Sequence, residues 1–376
     1  MASRSLRILH LVCSSKLAGS ERYLLTLGRI QRQRGHTVFA AIEGGGSLQR
    51  VCVGEGFDIL PIDLRWPLVV IRLARFIREE NIDIVHTHLT GAARLAEKLH
   101  IKTGVKVVAH LHIAREHSVF ERIARFGALI GVSESIANFY REQISNAEIQ
   151  VVLNSSLMHE SQSALRPRVE VCQELRSQYG IQPEASLIAM IGRISQGKGQ
   201  DVLIKALSLL KERGKEVIVA CAGVEKRRSG FLRRYQKLAD ELGVASQVIW
   251  MGFQSDTVPL MRAADIVCVP SRFDILPLVV LEGMMLETPI VASAVGGIPE
   301  VLGSDERARL VAAENPTALA DAIEQLLNNP EEAKAMARRA YEYAQLHLSP
   351  TAMADKIDRI YAELIASGEL KSVVNG

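Results

Sequence analysis

The chain has 376 residues, 48% of them hydrophobic and 23% charged, with a formal net charge of +3 and a pI of about 8.6. Such a length exceeds what one hydrophobic core serves, so two domains are expected; the proportions exclude disorder, and the mild basicity is too weak to point to nucleic acid, although it suits anionic ligands or a membrane surface. Cys13, Cys52, Cys172, Cys221 and Cys268 lack paired spacing and no apolar run approaches spanning length, so a reduced, cytoplasmic, at most peripheral protein is expected.

In chain order, the β-rich runs of the first half are "RILHLVC", "TVFAAI", "DIVHTH", "VKVVAHLH", "ALIGVS" and "IQVVLN", separated by longer amphipathic stretches. Alternation of this kind means a parallel sheet with crossover helices. After the first run comes the loop "SSKLAGSERYLL", with Gly19, Ser20 and Glu21 opening a helix. The stretch "RWPLVVIRLARFIREEN" sets Arg72, Arg75 and Arg78 near one face; a solvated face is the plain reading and membrane docking the sharper one. His86-Thr87-His88 and His110-Leu111-His112 each end a strand, where alternate residues share a face. Two such pairs would suit zinc in a metal-dependent hydrolase, but that reading needs carboxylate ligands and the sequence offers no clear set, so no metal is expected.

Residues 155–173, "SSLMHESQSALRPRVEVCQ", lack strand character and read as a linker. A second sheet then starts with "SLIAMIG", "VIVACAG", "VIWMGF", "DIVCVP" and "PIVAS". The expected domains are 1–163, 164–349 and a closing helix, 350–376, that packs back on the first domain. Two tandem doubly wound, Rossmann-like α/β domains bind ligands outside their strand C-termini, and the cleft between facing sheets is the natural active site. In "GRISQGKGQ", Gly192 and Gly199 allow close backbone approach, the following helix start offers N–H donors, and Arg193 and Lys198 supply positive charge, the chemistry a diphosphate needs. It is not a Walker loop. "EKRRSGFLRRYQKL" is a second basic stretch with the same two readings as the first. "PSRFDILPLVVLEGMM" is mostly apolar yet holds Asp274 and Glu282; Pro277 suits a first helical turn, and Glu282 shares a face with Val279 and Leu286, at the edge of an apolar stripe. A desolvated carboxylate needs a partner. "VGGIPEVL" brings Gly296 and Gly297 after the last strand.

Together "AGSERYLLTLGRIQRQRGHTV", "IDIVHTH", "GRISQGKGQDVLIKAL" and the run from "VIWMGFQSD" to "VGGIPEVL" resemble glycosyltransferase family 4, of GT-B fold, over residues 6–345. The resemblance implies a retaining glycosyltransferase that needs no bound metal or cofactor, with a nucleotide-sugar donor, UDP-sugar foremost, and a glycan or lipid-linked acceptor, as in bacterial surface polysaccharide and lipopolysaccharide assembly. Arg193 and Lys198 match the residues that hold the donor diphosphate, Glu282 the glutamate that accepts from the ribose hydroxyls, and Asp274 the acidic position beside the donor sugar. The Gly19 loop matches one that closes near the phosphates, Gly252 and Phe253 match the backbone that meets the base, and His112 matches a histidine at donor sugar and acceptor, leaving His110 a packing or supporting role. Two departures stand out: Asp274 replaces the usual glutamate, and Gly19-Ser20-Glu21 replaces a start with paired glycines. A catalytically silent nucleotide-sugar-binding subunit remains an alternative. A nicotinamide oxidoreductase is disfavoured, because no Gly-x-Gly-x-x-Gly with its downstream acid follows the first strand.

Overall fold

The structure, a computed structural model, describes residues 4–15, 19–63, 68–114, 118–145, 147–156, 162–303 and 306–374. It divides into two compact units, one formed by Met1–Ser155 with Leu348–Gly376 and the other by Ser156–His347.

In the first unit, β1 (Arg7–Val12), β2 (Thr37–Glu43), β3 (Asp58–Ile62), β4 (Ile84–His88), β5 (Lys106–Leu111), β6 (Ala128–Gly131) and β7 (Ile149–Val151) form one sheet in the order β3-β2-β1-β4-β5-β6-β7. Every pairing is parallel. Helices cover both faces of such a sheet, which is why the central strands are apolar runs rather than alternating ones. The strand order reverses between β1 and β4, the switch point at which open α/β sheets bind ligands beyond their strand C-termini.

In the second unit, β8 (Ser186–Ile191), β9 (Val217–Ala222), β10 (Val248–Gly252), β11 (Ile266–Val269), β12 (Ile290–Ser293) and β13 (Arg309–Val311) run in the order β10-β9-β8-β11-β12-β13, again wholly parallel. Its switch point lies between β8 and β11.

Two strands lie outside the sequence reading, β3 and β13. Both are edge strands. Pro61 interrupts the periodicity of β3 and is tolerated there because an edge leaves some N–H groups without a ladder partner. The expected linker also carries structure: helices Gln162–Leu165 and Arg168–Tyr179 occupy much of it, and the second buries Val171 and Leu175.

The helix Pro350–Val374 belongs to the first unit. Met353, Ala354, Ile357, Ile360 and Tyr361, at helical spacing, join Tyr23 and Leu27 of the helix Gly19–Gln33 and Ile8 and Ile84 of the sheet in one cluster. At its polar edge Arg34 donates to Asp358 at 2.6 Å and to Asp355 at 2.7 Å. Ile357 is fully buried in that cluster. Ile357→Ala is expected to destabilise the first unit by about 2–5 kcal/mol, the range for large-to-small core changes; urea unfolding followed by circular dichroism reads it.

Candidate active site

In the second unit the loops after β8 and β11 flank the switch point, and side chains from both meet across it. Lys198 Nζ donates to Asp274 Oδ2 at 2.5 Å, and Ser271 Oγ donates to the same oxygen at 3.0 Å. Both charged side chains are mostly shielded, 29% exposed for Lys198 and 15% for Asp274. An ammonium has three N–H donors, so the bond to Asp274 leaves donors for a phosphate. Arg193 is exposed on the same loop; its carbonyl accepts from Gln200 Nε2 at 3.0 Å, which ties the loop to the helix Gln200–Glu212.

Arg272, which the sequence reading passed over, fixes the two loops together. Its guanidinium donates to Asp201 Oδ1 and Oδ2 at 2.9 and 2.7 Å, to the Gln196 carbonyl at 2.6 Å and to Glu314 at 2.7 Å, and its backbone N–H reaches the Gly197 carbonyl at 2.9 Å. The Asp201 carboxylate chiefly raises the Arg272 pKa further above its ordinary range, so this clamp stays charged. Bidentate Arg–carboxylate geometry adds direction as well as energy. Backbone contact supplies the rest. A Cβ on Gly199 would lie 2.0 Å from the Pro270 carbonyl oxygen, and one on Gly296 would lie 1.7 Å from that of Asp274.

Glu282 lies in the helix Leu278–Met285, which begins after Pro277; the proline caps the helix rather than occupying its first turn. The expected apolar stripe with Glu282 at its edge is absent, because residues Val279 to Met285 are buried on every face. Glu282 is only 7% exposed, and Ser156 Oγ donates to its Oε1 at 3.4 Å. Gly252 ends β10, and its carbonyl accepts from the Gly223 N–H at 2.7 Å; Phe253, the next residue, is 72% exposed. Phe273, beside Asp274 and not singled out from sequence, is 64% exposed.

In the first unit, Gly19 opens the helix Gly19–Gln33, while residues 16–18 of its loop lie outside the described residues. Register places His10 of β1 opposite His86 of β4, and His88 opposite His110 of β5, so the two His-x-His pairs share one patch at the switch point with a fifth histidine that the motif search missed. Their rings stack: centroids are 5.2 Å apart for His10 and His86, 5.4 Å for His86 and His110, and 4.7 Å for His110 and His112. Hydrogen bonds link His10 Nδ1 with His88 Nε2 at 3.1 Å, His88 Nδ1 with His112 Nε2 at 3.3 Å, and His86 Nε2 with His110 Nδ1 at 3.3 Å. The groups His10, His86, His88 and His88, His110, His112 each bring donor atoms within 4.8 Å of one another, as a metal site requires. The nitrogens of His88 are both engaged with other histidines, however, so a metal there would have to displace those bonds.

Burial keeps these rings neutral. It takes the pKa of His10 down to about 4, against the opposing bond to Gln31, and that of His112 to about 3. Burial first, then the charge of neighbouring histidines, holds His86, His88 and His110 well below the usual histidine range. In the unfolded chain each titrates near its ordinary value of about 6.5, so below that pH the unfolded state binds more protons than the folded one. Stability is therefore complete above about pH 6.5 and is lost as pH falls toward 4, each histidine contributing up to about 1.4 kcal/mol per pH unit. Urea midpoints measured between pH 7.5 and 4.5 should fall more steeply for the wild type than for His10→Gln, which removes one of the titrating groups.

Comparison with known proteins matches these two units separately. The family described as Glycosyltransferase Family 4 matches residues 17–155, and that described as Glycosyl transferases group 1 matches residues 172–343. A D-inositol 3-phosphate glycosyltransferase from Corynebacterium aurimucosum is 35% identical over 196 residues, 51% of this chain and 46% of the relative, so the alignment spans about half of that protein. The alpha-D-kanosaminyltransferase of Streptomyces kanamyceticus is 27% identical over 324 residues, 79% of this chain and 81% of the relative. Among solved structures, Anabaena Alr3699/HepE in complex with UDP and glucose superposes with a TM-score of 0.83 over 95% of this chain and 99% of that one, at 19% identity, a likeness of fold. The chain belongs to the GT-B glycosyltransferases, with a family 4 first half and a group 1 second half.

Proposed function

We propose that the chain is a retaining glycosyltransferase that takes a sugar from a UDP-sugar and passes it to a glycan or a lipid-linked saccharide, without a bound metal. The observation that carries this reading is the Lys198–Asp274 pair across the switch point of the second unit. A cation is held there on a rigid loop, with Arg193 exposed on the same loop. Together they supply the positive charge that a diphosphate leaving group needs, in place of a metal ion. The fold shared with HepE, a protein captured with UDP and glucose, supports UDP as the nucleotide.

In this reading the second unit, with the boundary expected near residue 164, holds the donor. Arg193 and Lys198 take the diphosphate, Glu282 the ribose hydroxyls, and Gly252 with the exposed Phe253 the base, which stacks on an aromatic face at little cost. Asp274 acts on the donor sugar, and its double anchoring by Lys198 and Ser271 keeps the shorter side chain in one position. The first unit carries the acceptor side, with His112 serving the transfer and the Gly19 loop contributing to phosphate binding. Of the relatives' names, one states an acceptor, D-inositol 3-phosphate, and the other a transferred group, alpha-D-kanosaminyl, so together they favour no single acceptor for this chain. Among the described residues no helix is long and apolar enough to cross a membrane. Exposed Leu68 and Ile71 beside exposed Arg72 and Arg75 suit peripheral contact with an anionic membrane, which would bring a lipid-linked acceptor within reach at the inner face of the cell membrane.

A thermal-shift panel of nucleotides and nucleotide-sugars tests the donor, because a ligand that binds only the native state raises stability by mass action. UDP or a UDP-sugar should give the largest shift, and Arg193→Ala and Lys198→Ala should each weaken binding by about 1.5–3 kcal/mol, the worth of a charge-assisted bond. Turnover should persist in EDTA. Equal stabilisation of wild type and both variants would remove the diphosphate assignment.

The two carboxylates divide the work. Glu282→Gln exchanges an acceptor oxygen for a donor and should weaken binding of free UDP. Asp274→Asn should leave UDP binding nearly intact and lower turnover, and Asp274→Glu should retain part of the activity. Calorimetry with UDP beside steady-state rates separates the outcomes; the reverse pattern would exchange the two roles.

A further inference from the structure

The histidine contacts of the first unit form one continuous chain with a direction. Besides the three histidine–histidine bonds, His10 Nε2 meets Gln31 Oε1 at 2.8 Å, Gln31 Nε2 donates to the Tyr361 hydroxyl at 3.2 Å, and that hydroxyl meets His86 Nδ1 at 2.6 Å. The path therefore runs His112, His88, His10, Gln31, Tyr361, His86, His110. Gln31 and Tyr361 are fully buried, as are His10, His86, His88 and His110.

Each neutral imidazole carries one N–H, and the amide of Gln31 has an oxygen that only accepts and a nitrogen that only donates. One orientation of this amide thus sets the proton on every ring. Gln31 Oε1 accepts, so His10 is protonated at Nε2 and accepts at Nδ1. His88 must then donate from Nε2, and His112 in turn donates from Nε2 to His88 Nδ1. On the other side the amide donates to Tyr361, whose hydroxyl hydrogen turns to His86 Nδ1. His86 then donates from Nε2 to His110 Nδ1, which puts the His110 proton on Nε2. The last step leaves that N–H without an acceptor, since His110 Nε2 is buried with no hydrogen-bond partner among the described residues, and the chain of bonds ends there. The depressed pKa values agree with neutral rings throughout.

We infer that Gln31, His10 and His88 are positioning residues that hold His112 as its Nε2–H tautomer, so that the ring presents Nδ1 as a lone pair, a hydrogen-bond acceptor for a hydroxyl-bearing ligand. His112 is the member of the chain that keeps part of its surface open. Tautomers of a free imidazole differ little in energy, so an unanchored ring would offer a donor as readily as an acceptor; here the choice is made three residues away, by an amide that touches no ligand. This inference rests on the role proposed for His112 only in naming what the lone pair serves; the tautomer itself is a property of the chain without substrate.

Nitrogen-15 correlation spectra of imidazole rings distinguish Nδ1–H from Nε2–H, and the uniformly labelled full chain at pH 7.5, with each ring assigned from its single His→Gln variant, is the sample. In the wild type, His10, His86, His88, His110 and His112 should all be Nε2–H. Gln31→Glu replaces the donor end of the amide with a second acceptor, so Tyr361 must turn its hydrogen to Glu, and His86 and His110 should switch to Nδ1–H while His10, His88 and His112 stay as they were. Tyr361→Phe is the milder variant: His86 and His110 should lose their fixed tautomer, and His112 should keep its own. Nδ1–H or a mixture at His112 in the wild type overturns the inference, and so does a His112 tautomer that changes in Tyr361→Phe. Because no substrate is involved, these results stand whether or not glycosyl transfer is observed. In a transfer assay, loss of the His112 lone pair by His112→Phe should depress kcat without altering the tautomers of His86 and His110.

Discussion

Carbonyl oxygens in contact with α-carbons are the constraint on which the donor-side loops depend. The loop after β12 lies against Asp274 and the loop after β8 against Pro270 so closely that a single methyl group on Gly296 or Gly199 would overlap a backbone oxygen. Only because these backbones touch can Lys198 cross from one loop to a carboxylate on the other. The Arg272 clamp then reduces the freedom of both loops at once, since one guanidinium holds the start of the helix Gln200–Glu212 and the turn before it. A charge held in place before a ligand arrives needs no reorganisation when charge develops on a leaving group, and this is where electrostatic catalysis gains most.

The first unit solves the opposite problem. Its switch point gathers five imidazoles, and burial excludes their charged forms. What remains is a neutral, polar, directional lattice inside an apolar core built from Ile8, Leu27, Ile84 and Ile357. Buried polar groups of this kind are costly when unpaired and specifying when paired. The lattice ends at His112 on one side and at His110 Nε2, buried without a partner among the described residues, on the other, where the Tyr23 ring stands edge-on to His110 at 4.5 Å.

Much of this was legible in the chain itself. Alternating apolar runs gave the parallel sheets, because a strand buried on both faces has to be apolar throughout, and glycines beside Arg193 and Lys198 marked the loop because only a phosphate-like ligand rewards that combination. What escaped had physical reasons. β3 and β13 are edge strands, short or broken by proline, and carry little periodicity. Arg272 looked like an ordinary loop residue, since its partners Asp201 and Glu314 are 71 and 42 positions away. His10 sits mid-strand, and Gln31 and Tyr361 sit on helical faces that pattern alone assigns to solvent contact or core. The bonds joining them exist only through strand register and through a helix more than three hundred residues distant.

That helix has a consequence for synthesis. The Gln31–Tyr361 and His86–Tyr361 bonds close over 330 and 275 residues, whereas the second unit is a single uninterrupted stretch of chain, Ser156–His347. A ribosome delivers all seven strands of the first unit, then the entire second unit, before the residues that complete the first core emerge. Domains generally fold as units while the chain is being made. The second unit can therefore reach its final form first, while the earlier-made half waits with its histidines reachable by water and able to take up protons. The last-made helix is thus the step that turns an open, titratable surface into a closed and neutral one.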